Sequence, residues 1–400
     1  MTNHNTINNR NNALFALLLA IFEMALYLSN DAYLPALPNI TKDLNITHHL
    51  VQLTLTTWFM GSASMQLFLG PVADRIGRRP VLLTGGVIFV IVTIGCAIIQ
   101  NIHLLLILRF IQGATITSMV VAGYATVHDL FDREQAIHTL AIMNSITIVA
   151  PSFGPLFGAI ILTVTNWRWI FGILAIWAFI VLIGLFYKMP ETRDTAEKIT
   201  RFKHILIQYK NILTNKTFLL HLLPIRCLFA AMIAWIAAGP FLLIDRFHFK
   251  TISFGFTQIL IFGSYIISTR SVKRLMNVTS LKNIVTAGIC LSLVGGAFVV
   301  ISSIIWPNNI WNTIVGMVLL ASGAGVVSPI LNRLAIEACD EPMGSRVAIS
   351  SCLGGLAAMI GSAIVSQVYN GTLFSLSIIL FIFSMLAAIL SLGYIRTSGS

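Results

Sequence analysis

The chain has 400 residues, of which 57% are hydrophobic and only 10% are charged. Soluble domains carry about 25% charged residues, so this composition excludes a protein whose surface faces mainly water. We interpret the formal net charge of +11 as the basic residues that orient membrane helices, and not as a nucleic-acid-binding surface.

Apolar windows of about twenty residues recur along the chain and predict an all-α integral membrane protein with twelve transmembrane helices. The first window holds Glu23 and is followed by no small-residue cleavage site, so we interpret it as a permanent helix and not as a signal peptide. The twelve predicted helices span residues 13–34, 51–72, 80–100, 103–125, 139–163, 168–188, 217–244, 252–271, 282–304, 310–332, 346–368 and 372–394.

The longest charged stretch separates the sixth predicted helix from the seventh. It predicts an N-terminal six-helix bundle over residues 1–188, a cytoplasmic linker over 189–216 and a C-terminal six-helix bundle over 217–400. Apolar residues at helical spacing within 202–213 indicate either an amphipathic helix on the membrane surface or a plain solvated linker.

Basic residues are distributed unevenly between the two sides of this layout. Nineteen lysines and arginines fall in loops and tails on the side of the N-terminus, and four fall on the opposite side. Cytoplasmic loops carry the excess of basic residues, so both termini are predicted to be cytoplasmic.

The loop between the second and third predicted helices reads GPVADRIGRRP. Its glycines favour close helix approach and a tight turn, and its charges could latch one conformation of a moving protein. The alternative is a basic turn that only orients the membrane helices. The residues to which we assign a conformational role in this loop are Gly70, Asp74, Arg75, Gly77, Arg78 and Arg79.

Four ionisable Asp, Glu, Lys or Arg side chains fall well inside the predicted helices: Glu23, Asp31, Arg109 and Arg226. Each costs about 2.5–3.5 kcal/mol at mid-membrane on insertion scales, so each is a functional candidate. Glu23 and Asp31 lie about 12 Å apart along a helix and about 80° apart around it, with Tyr27 between them. Such carboxylates can bind either a proton or a cationic substrate, which is the simplest basis for exchange. A structural ion pair between Asp31 and Arg109 is the alternative.

The loop at 70–80 resembles the signature loop of the major facilitator superfamily. Segments 108–113 and 150–158 resemble its helix 4 and helix 5 motifs, and Asn30-Asp31 followed by Pro35 resembles the helix 1 motif of its twelve-helix drug/proton antiporters. The resemblance implies the major facilitator fold in a multi-pass protein of the bacterial inner membrane.

The resemblance also implies roles for particular residues. It ties the position of Arg109 to proton coupling, and Gln112 lies on the same helix face as Arg109. An arginine that only bonds backbone carbonyls is the alternative. The helix 5 motif supplies Pro151, Gly154, Pro155 and Gly158, which we interpret as a tight but deformable gate between the halves, with plain packing as the alternative.

Two arginines in the second half are candidate substrate contacts. Arg333 is implied by the family resemblance. Arg226 departs from the family pattern, since we expect no charge at that position. It either contacts an anionic or carboxylate-bearing substrate or extends to the cytoplasmic edge of the bilayer.

These features favour a proton-coupled exporter of small organic molecules, working as a monomer by alternating access. A proton-coupled importer or exporter of one metabolite, such as a siderophore or a carboxylate, is the alternative, and a sensor without transport is a third. Metalloprotease and Walker motifs are absent, and the five cysteines form no CxxC pair, so we expect neither an enzyme nor a cofactor or metal site.

Overall fold

The computed structural model describes residues 2–192 and 202–397, and every regular element in those two ranges is helical. The α-helices are α1 (Thr2–Asp31), α2 (Leu37–Asp43), α3 (His48–Met65), α4 (Leu69–Ile76), α5 (Arg78–Ile98), α6 (Ile102–Ser118), α7 (Tyr124–Leu130), α8 (Arg133–Val164), α9 (Arg168–Lys188), α10 (Phe202–Thr214), α11 (Lys216–Pro240), α12 (Thr251–Leu275), α13 (Leu281–Ile305), α14 (Ile310–Glu337), α15 (Met343–Val368) and α16 (Leu373–Thr397). A 3-10 turn, Leu34–Ala36, and two π turns, Met119–Gly123 and Phe241–Arg246, link neighbouring helices.

Ten helical spans in the described ranges are long and apolar enough to cross a membrane, and each matches a predicted helix. The other two predicted helices, 51–72 and 139–163, are also helical, but the described parts of both are shorter or more polar. Polar side chains of α3 form hydrogen bonds with other helices. Gln52, for example, donates to the carbonyl of Ala237 at 3.1 Å, and Thr56 donates to Ser362 at 3.0 Å. The count of twelve therefore stays a prediction.

The predicted continuous helix over 51–72 is wrong in one respect. The structure ends α3 at Met65 and begins α4 at Leu69, so a break divides the segment. The hydropathy pattern continues through Leu67 and Leu69, which is why the break leaves no signal in the sequence. Helix α4 then carries the chain to Ile76, directly before the turn at Gly77.

The segment after the central charged stretch forms a helix, α10, as one of the two interpretations required. Ile205, Tyr209 and Ile212 are buried on one face, whereas Leu206 is exposed. The hydroxyl of Tyr209 donates to the carbonyl of Leu67 at 3.1 Å, so α10 is held at the break between α3 and α4. Three of the nineteen basic residues counted on the cytoplasmic side, Arg193, Lys198 and Arg201, lie outside the described residues.

Helices before residue 189 pack mainly with one another, as do those after residue 216. Helix α3 packs on α6, and α1 packs on α8 and α9. In the later part, α13 and α12 pack on α14, and α11 packs on α15 and α16. Two helix pairs, α3 with α15 and α8 with α12, make the largest contacts between the earlier and later helices.

The boundary between the earlier and the later helices is called the seam below. Charged and aromatic side chains join its two sides at one end. Lys42 lies 3.6 Å from a carboxylate oxygen of Asp245, and His48 lies 3.8 Å from the other. The imidazole of His48 also stacks on the ring of Phe241 with centroids 4.4 Å apart. The helices are therefore closed against each other at the end where α2 and the second π turn meet.

Candidate functional site

Arg109 is the centre of a buried polar cluster between α1 and α6. Its side chain has no exposed surface. One terminal nitrogen donates to the carbonyl oxygen of Ser29 at 2.9 Å and to Oε1 of Gln112, and the other donates to Oδ1 of Asn30 at 3.0 Å. The guanidinium lies 4.4 Å from the ring centroid of Tyr33. The arginine is therefore held by three acceptors and an aromatic face, and not by backbone carbonyls alone.

Asn30 connects Arg109 to Asp31. Its amide nitrogen donates to Oδ1 of Asp31 at 3.1 Å, while its amide oxygen accepts from Arg109. Among the described residues no ion pair within 4.0 Å includes Asp31. The interpretation of Asp31 and Arg109 as a direct structural pair is therefore wrong for this conformation, because Asn30 stands between them.

Gln112 extends the cluster to a third helix. Its amide nitrogen donates to the hydroxyl of Thr93 on α5 at 2.8 Å, while its amide oxygen accepts from Arg109. Gln112 and Thr93 are both buried. The predicted pairing of Gln112 with Arg109 along one helix face is confirmed, and the link to Thr93 is a further contact that spacing within α6 could not indicate.

Glu23 lies on the same helix as Asp31 and has no exposed surface. The hydroxyl of Tyr124 donates to its Oε1 at 2.8 Å. Its Oε2 is buried without a hydrogen-bond partner among the described residues. Tyr27 is half-buried between the two carboxylates in sequence. One oxygen of Glu23 is thus fixed by a donor, and the other is available to a proton or a cation.

Tyr124 was missed by the sequence analysis. It directly follows the π turn Met119–Gly123, in which one extra residue per turn changes the direction of the following side chains. A tyrosine in an apolar helix has no distinguishing spacing relative to Glu23, which lies 101 residues earlier. No local signal in the sequence could have found this contact.

The helix 5 glycines pack on the end of α1. A Cβ atom at Gly154 would lie 2.7 Å from Cβ of Asp31, and one at Gly158 would meet the carbonyl oxygen of Ala32. The predicted close contact of these glycines is confirmed, but they make it with the end of α1 in the same half. The gate between the halves stays a prediction. Pro151 and Pro155 lie within the same helix.

Helix α8 does reach a later helix, through a neighbouring position. A Cβ atom at Gly255 of α12 would lie 2.7 Å from Cα of Leu156. Leu156 lies two residues after Gly154. Helix α8 therefore contacts the Asp31 segment and α12 at almost the same height.

The loop at 70–80 forms a turn that a distant carboxylate holds. Gly77 has a φ of 115°, which favours glycine. Oε1 of Glu191 accepts from the backbone nitrogen of Arg78 at 3.0 Å, and its Oε2 accepts from that of Arg79 at 3.2 Å. The Arg78 side chain also forms an ion pair with Asp129. The predicted turn at Gly77 is confirmed.

Other members of this loop differ from the expectation. A Cβ atom at Gly70 would meet nothing within 4 Å, so the close helix approach expected there is wrong. Asp74 and Arg75 are exposed, and Arg79 donates to the carbonyl of Phe186 at 2.7 Å. The conformational role of these residues stays a prediction.

The two arginines predicted as substrate contacts lie apart from the Arg109 cluster. Arg226 is half-buried on α11 and donates to the hydroxyl of Ser350 at 2.7 Å. The side chain of Arg333 is 78% exposed and pairs with Glu337 one turn later. The structure therefore gives Arg226 an interior position and Arg333 a surface position.

Comparisons with known proteins agree with this architecture. The family model described as Major Facilitator Superfamily matches residues 19–362. The chain is 31% identical over 331 residues to Multidrug resistance protein MdtM of Escherichia coli strain K12, covering 83% of this chain and 81% of that protein. It is 31% identical over 349 residues to Multidrug transporter MdfA of Yersinia pestis strain Angola, covering 87% and 84%.

A further sequence relative and one solved structure also match the chain. Chloramphenicol resistance protein CraA of Acinetobacter baumannii is 28% identical over 349 residues, covering 87% of this chain and 84% of that protein. A crystal structure of a bacterial homologue of the human lysosomal transporter Spinster superposes with a TM-score of 0.70 and 13% identity, covering 98% of this chain and 97% of the other. This second match concerns the fold alone.

Proposed function

Because the chain belongs to the major facilitator superfamily, we propose that it exports small organic molecules in exchange for protons, as a multidrug efflux transporter. Membership makes the chain a multi-pass transporter of the bacterial inner membrane and not an enzyme. Relatives that match over most of the chain are named a multidrug resistance protein and a multidrug transporter, which supports the substrate class. The observation that carries proton coupling is Asp31, buried without an ion-pair partner in the described structure and linked through Asn30 to Arg109.

The proposed architecture has twelve transmembrane helices in two bundles, 1–188 and 217–400, joined by the linker 189–216. Both termini face the cytoplasm, which is supported by the excess of basic residues on that side. In this orientation the contact of Lys42 and His48 with Asp245 closes the outer end of the seam. The transporter works as a monomer.

In the proposed cycle the two bundles rock around a central site. A cationic substrate and a proton compete for Glu23 and Asp31, so protonation releases the substrate outside and permits return. Tyr27, Asn30 and Gln112 position these groups. The driving force is sufficient, because a proton gains about 2.3 kcal/mol through 100 mV and each pH unit adds about 1.4 kcal/mol.

Conformational roles follow from the contacts of the loop and of α8. The loop between α4 and α5 acts as a latch, and the residues to which we assign this role are Gly70, Asp74, Arg75, Gly77, Arg78 and Arg79. The hydrogen bond from the Arg78 backbone nitrogen to Glu191 and the ion pair of Arg78 with Asp129 support it. Pro151, Gly154, Pro155 and Gly158 let α8 bend while it stays packed on α1. Arg226 and Arg333 are the proposed substrate contacts of the second half.

The test is uptake of a fluorescent lipophilic cation into inverted vesicles with an imposed pH gradient. Asp31→Asn removes the charge and keeps the size, so we expect gradient-driven uptake to fall to background while the protein inserts at its normal level. Asp43→Asn is the matched control, because Asp43 pairs with Arg168 at the end of the bundle and lies outside the proposed site. Full uptake by Asp31→Asn would refute the assignment.

The second candidate is proton-coupled transport of one metabolite, such as a siderophore or a carboxylate. Arg226 favours it, because this interior cation forms no ion pair within the described residues. Uptake of such a solute by intact cells that depends on this chain, without export of cationic dyes, would select it.

A further inference from the structure

The side chain of Arg226 crosses from α11 to α15 in the interior of the second half. One of its terminal nitrogens donates to the hydroxyl of Ser350 at 2.7 Å. The other lies beside Gly354, where an added Cβ would be 3.2 Å from it. Ser350 and Gly354 are one turn apart on α15. The guanidinium therefore lies against two small residues, which leave its donors uncovered by bulky side chains.

The guanidinium has more donors than the described residues satisfy. It carries five N–H groups, and Ser350 is the hydrogen-bond acceptor that the described structure provides. Its Nε is buried without an acceptor among the described residues. No ion pair within 4.0 Å in the described ranges includes Arg226. An always-charged group inside a membrane protein costs free energy unless acceptors complete it.

The carboxylates of the second half lie away from Arg226. They fall in the second π turn, at the end of α14 and in the loop after it, at Asp245, Glu337, Asp340 and Glu341. The opposite charge is therefore left to a ligand. An anion would supply both the charge and the acceptors, whereas water supplies acceptors alone.

The polar groups around Arg226 are neutral and able to donate. The hydroxyl of Ser350 donates to Oδ1 of Asn332 on α14 at 3.2 Å. Tyr265 on α12 is close enough to interact electrostatically with the guanidinium. A hydroxyl hydrogen can rotate towards a ligand, and an asparagine amide carries two N–H donors. Donors from four helices therefore meet beside a positive charge, which is the arrangement that an anion requires.

The face of α15 that follows this cluster contacts the first half. Gly355 packs on Ala63 of α3, with an added Cβ 2.9 Å from the Ala63 side chain. The thiol of Cys352 lies 3.6 Å from the carbonyl oxygen of Ala63. A ligand at Arg226 would therefore bind next to the seam and stabilise the helix that forms this part of it.

We propose that Arg226, Ser350 and Asn332 form a binding site for one monovalent anion, either the carboxylate of a transported solute or a free chloride ion. Both accept hydrogen bonds from a guanidinium, and a carboxylate also matches its planar fork. The carboxylate alternative rests on the proposed transport function, because it deepens the role of Arg226 as a substrate contact. Anion binding itself requires no step of the proton-coupled cycle.

The experiment is thermal unfolding of the purified full-length protein in a low-salt zwitterionic buffer, titrated separately with sodium chloride and sodium acetate. A bound anion raises the melting temperature along a saturating curve, which gives its dissociation constant. We expect saturation with at least one salt, and Arg226→Met should weaken binding about tenfold or more. Without added anion, Arg226→Met should melt no lower than the wild type, because an apolar side chain replaces an uncompensated charge.

Arg274→Met is the matched control, because it makes the same substitution at an exposed arginine on α12. Its dissociation constant should stay within about twofold of the wild-type value, since exposed charges contribute little. Ser350→Ala should give a smaller loss than Arg226→Met. Saturation by chloride alone assigns the site to a free ion, and saturation by acetate alone assigns it to a carboxylate.

Melting curves that respond equally in the wild type and in Arg226→Met would overturn the proposal, because the salts would then act elsewhere on the protein. A wild type that saturates with neither salt would overturn it as well. Selective anion binding without pH-driven transport of any dye would refute the proposed function and leave this inference standing. Transport without selective anion binding would refute this inference alone.

Discussion

Replacing Arg109 by lysine tests whether the buried cluster needs the shape of arginine or only its charge. The three acceptors of Arg109 are Ser29, Asn30 and Gln112, and all are reached by its two terminal nitrogens. A lysine nitrogen would end near the position of the central guanidinium carbon. It would therefore stop about 1.3 Å short, one conjugated C–N bond length, and would lie beyond hydrogen-bond distance of most of these acceptors.

The expected cost follows from the hydrogen bonds lost. A hydrogen bond to a charged group contributes about 1.5–3 kcal/mol, so losing two costs about 3–6 kcal/mol. Part of this appears as lower stability and part as a failure to hold α1 and α6 in register. Since about 1.4 kcal/mol is a factor of ten, we expect pH-driven transport by Arg109→Lys to fall at least about tenfold.

The assay compares Arg109→Lys, Arg109→Gln and Arg274→Lys in inverted vesicles at equal protein content, with melting temperatures from the purified proteins. Arg274 is exposed and serves as the matched control for the same substitution. We expect both Arg109 variants to fail and Arg274→Lys to match the wild type. Wild-type transport and stability in Arg109→Lys would show that a positive charge alone suffices, and would refute the argument from geometry.

Two further predictions concern packing and the loop turn. Gly158→Ala should strongly lower the yield of folded protein, because its Cβ would collide with the backbone oxygen of Ala32. Gly70→Ala is the control and should fold normally, because its Cβ would meet nothing within 4 Å. Equal yields of the two variants in size-exclusion chromatography would contradict this prediction. Glu191→Ala should lower the melting temperature by removing the acceptor of two backbone N–H groups at the start of α5, a loss of about 1 kcal/mol or more. Glu337→Ala, which breaks an exposed one-turn ion pair, should lower the melting temperature less than Glu191→Ala does, and the reverse order would count against the role of Glu191.

The helices were predictable because hydrophobic length is a strong local signal. Ten predicted helices match apolar spans of the structure. The two weakest, 51–72 and 139–163, are those whose polar residues serve contacts with other helices or whose apolar part is short. The break after Met65 had no signal, because an apolar side chain stands on either side of it. Composition thus reveals where a chain crosses lipid better than where a helix is interrupted.

The ionisable residues of the site were predictable, and their partners were not. Glu23, Asp31 and Arg109 are conspicuous because charges inside membrane helices are rare and costly. Their hydrogen-bond partners Tyr124 and Asn30 are ordinary residues whose roles depend on which helices are adjacent. The i,i+3 pairing of Arg109 with Gln112 was found because it lies within one helix. Contacts between helices need the fold.

The glycines of α8 pack on the end of α1, next to the position where α8 contacts the later helices. Gly154 packs on Asp31, and Leu156, two residues later, packs on Gly255 of α12. A helix with two internal prolines bends more easily than a regular helix, since each proline removes a backbone hydrogen bond. A movement of the Asp31 segment on protonation would therefore press on α8 next to its contact with the later helices. We expect α8, and not a direct contact between α1 and the second half, to transmit the state of Asp31 across the seam.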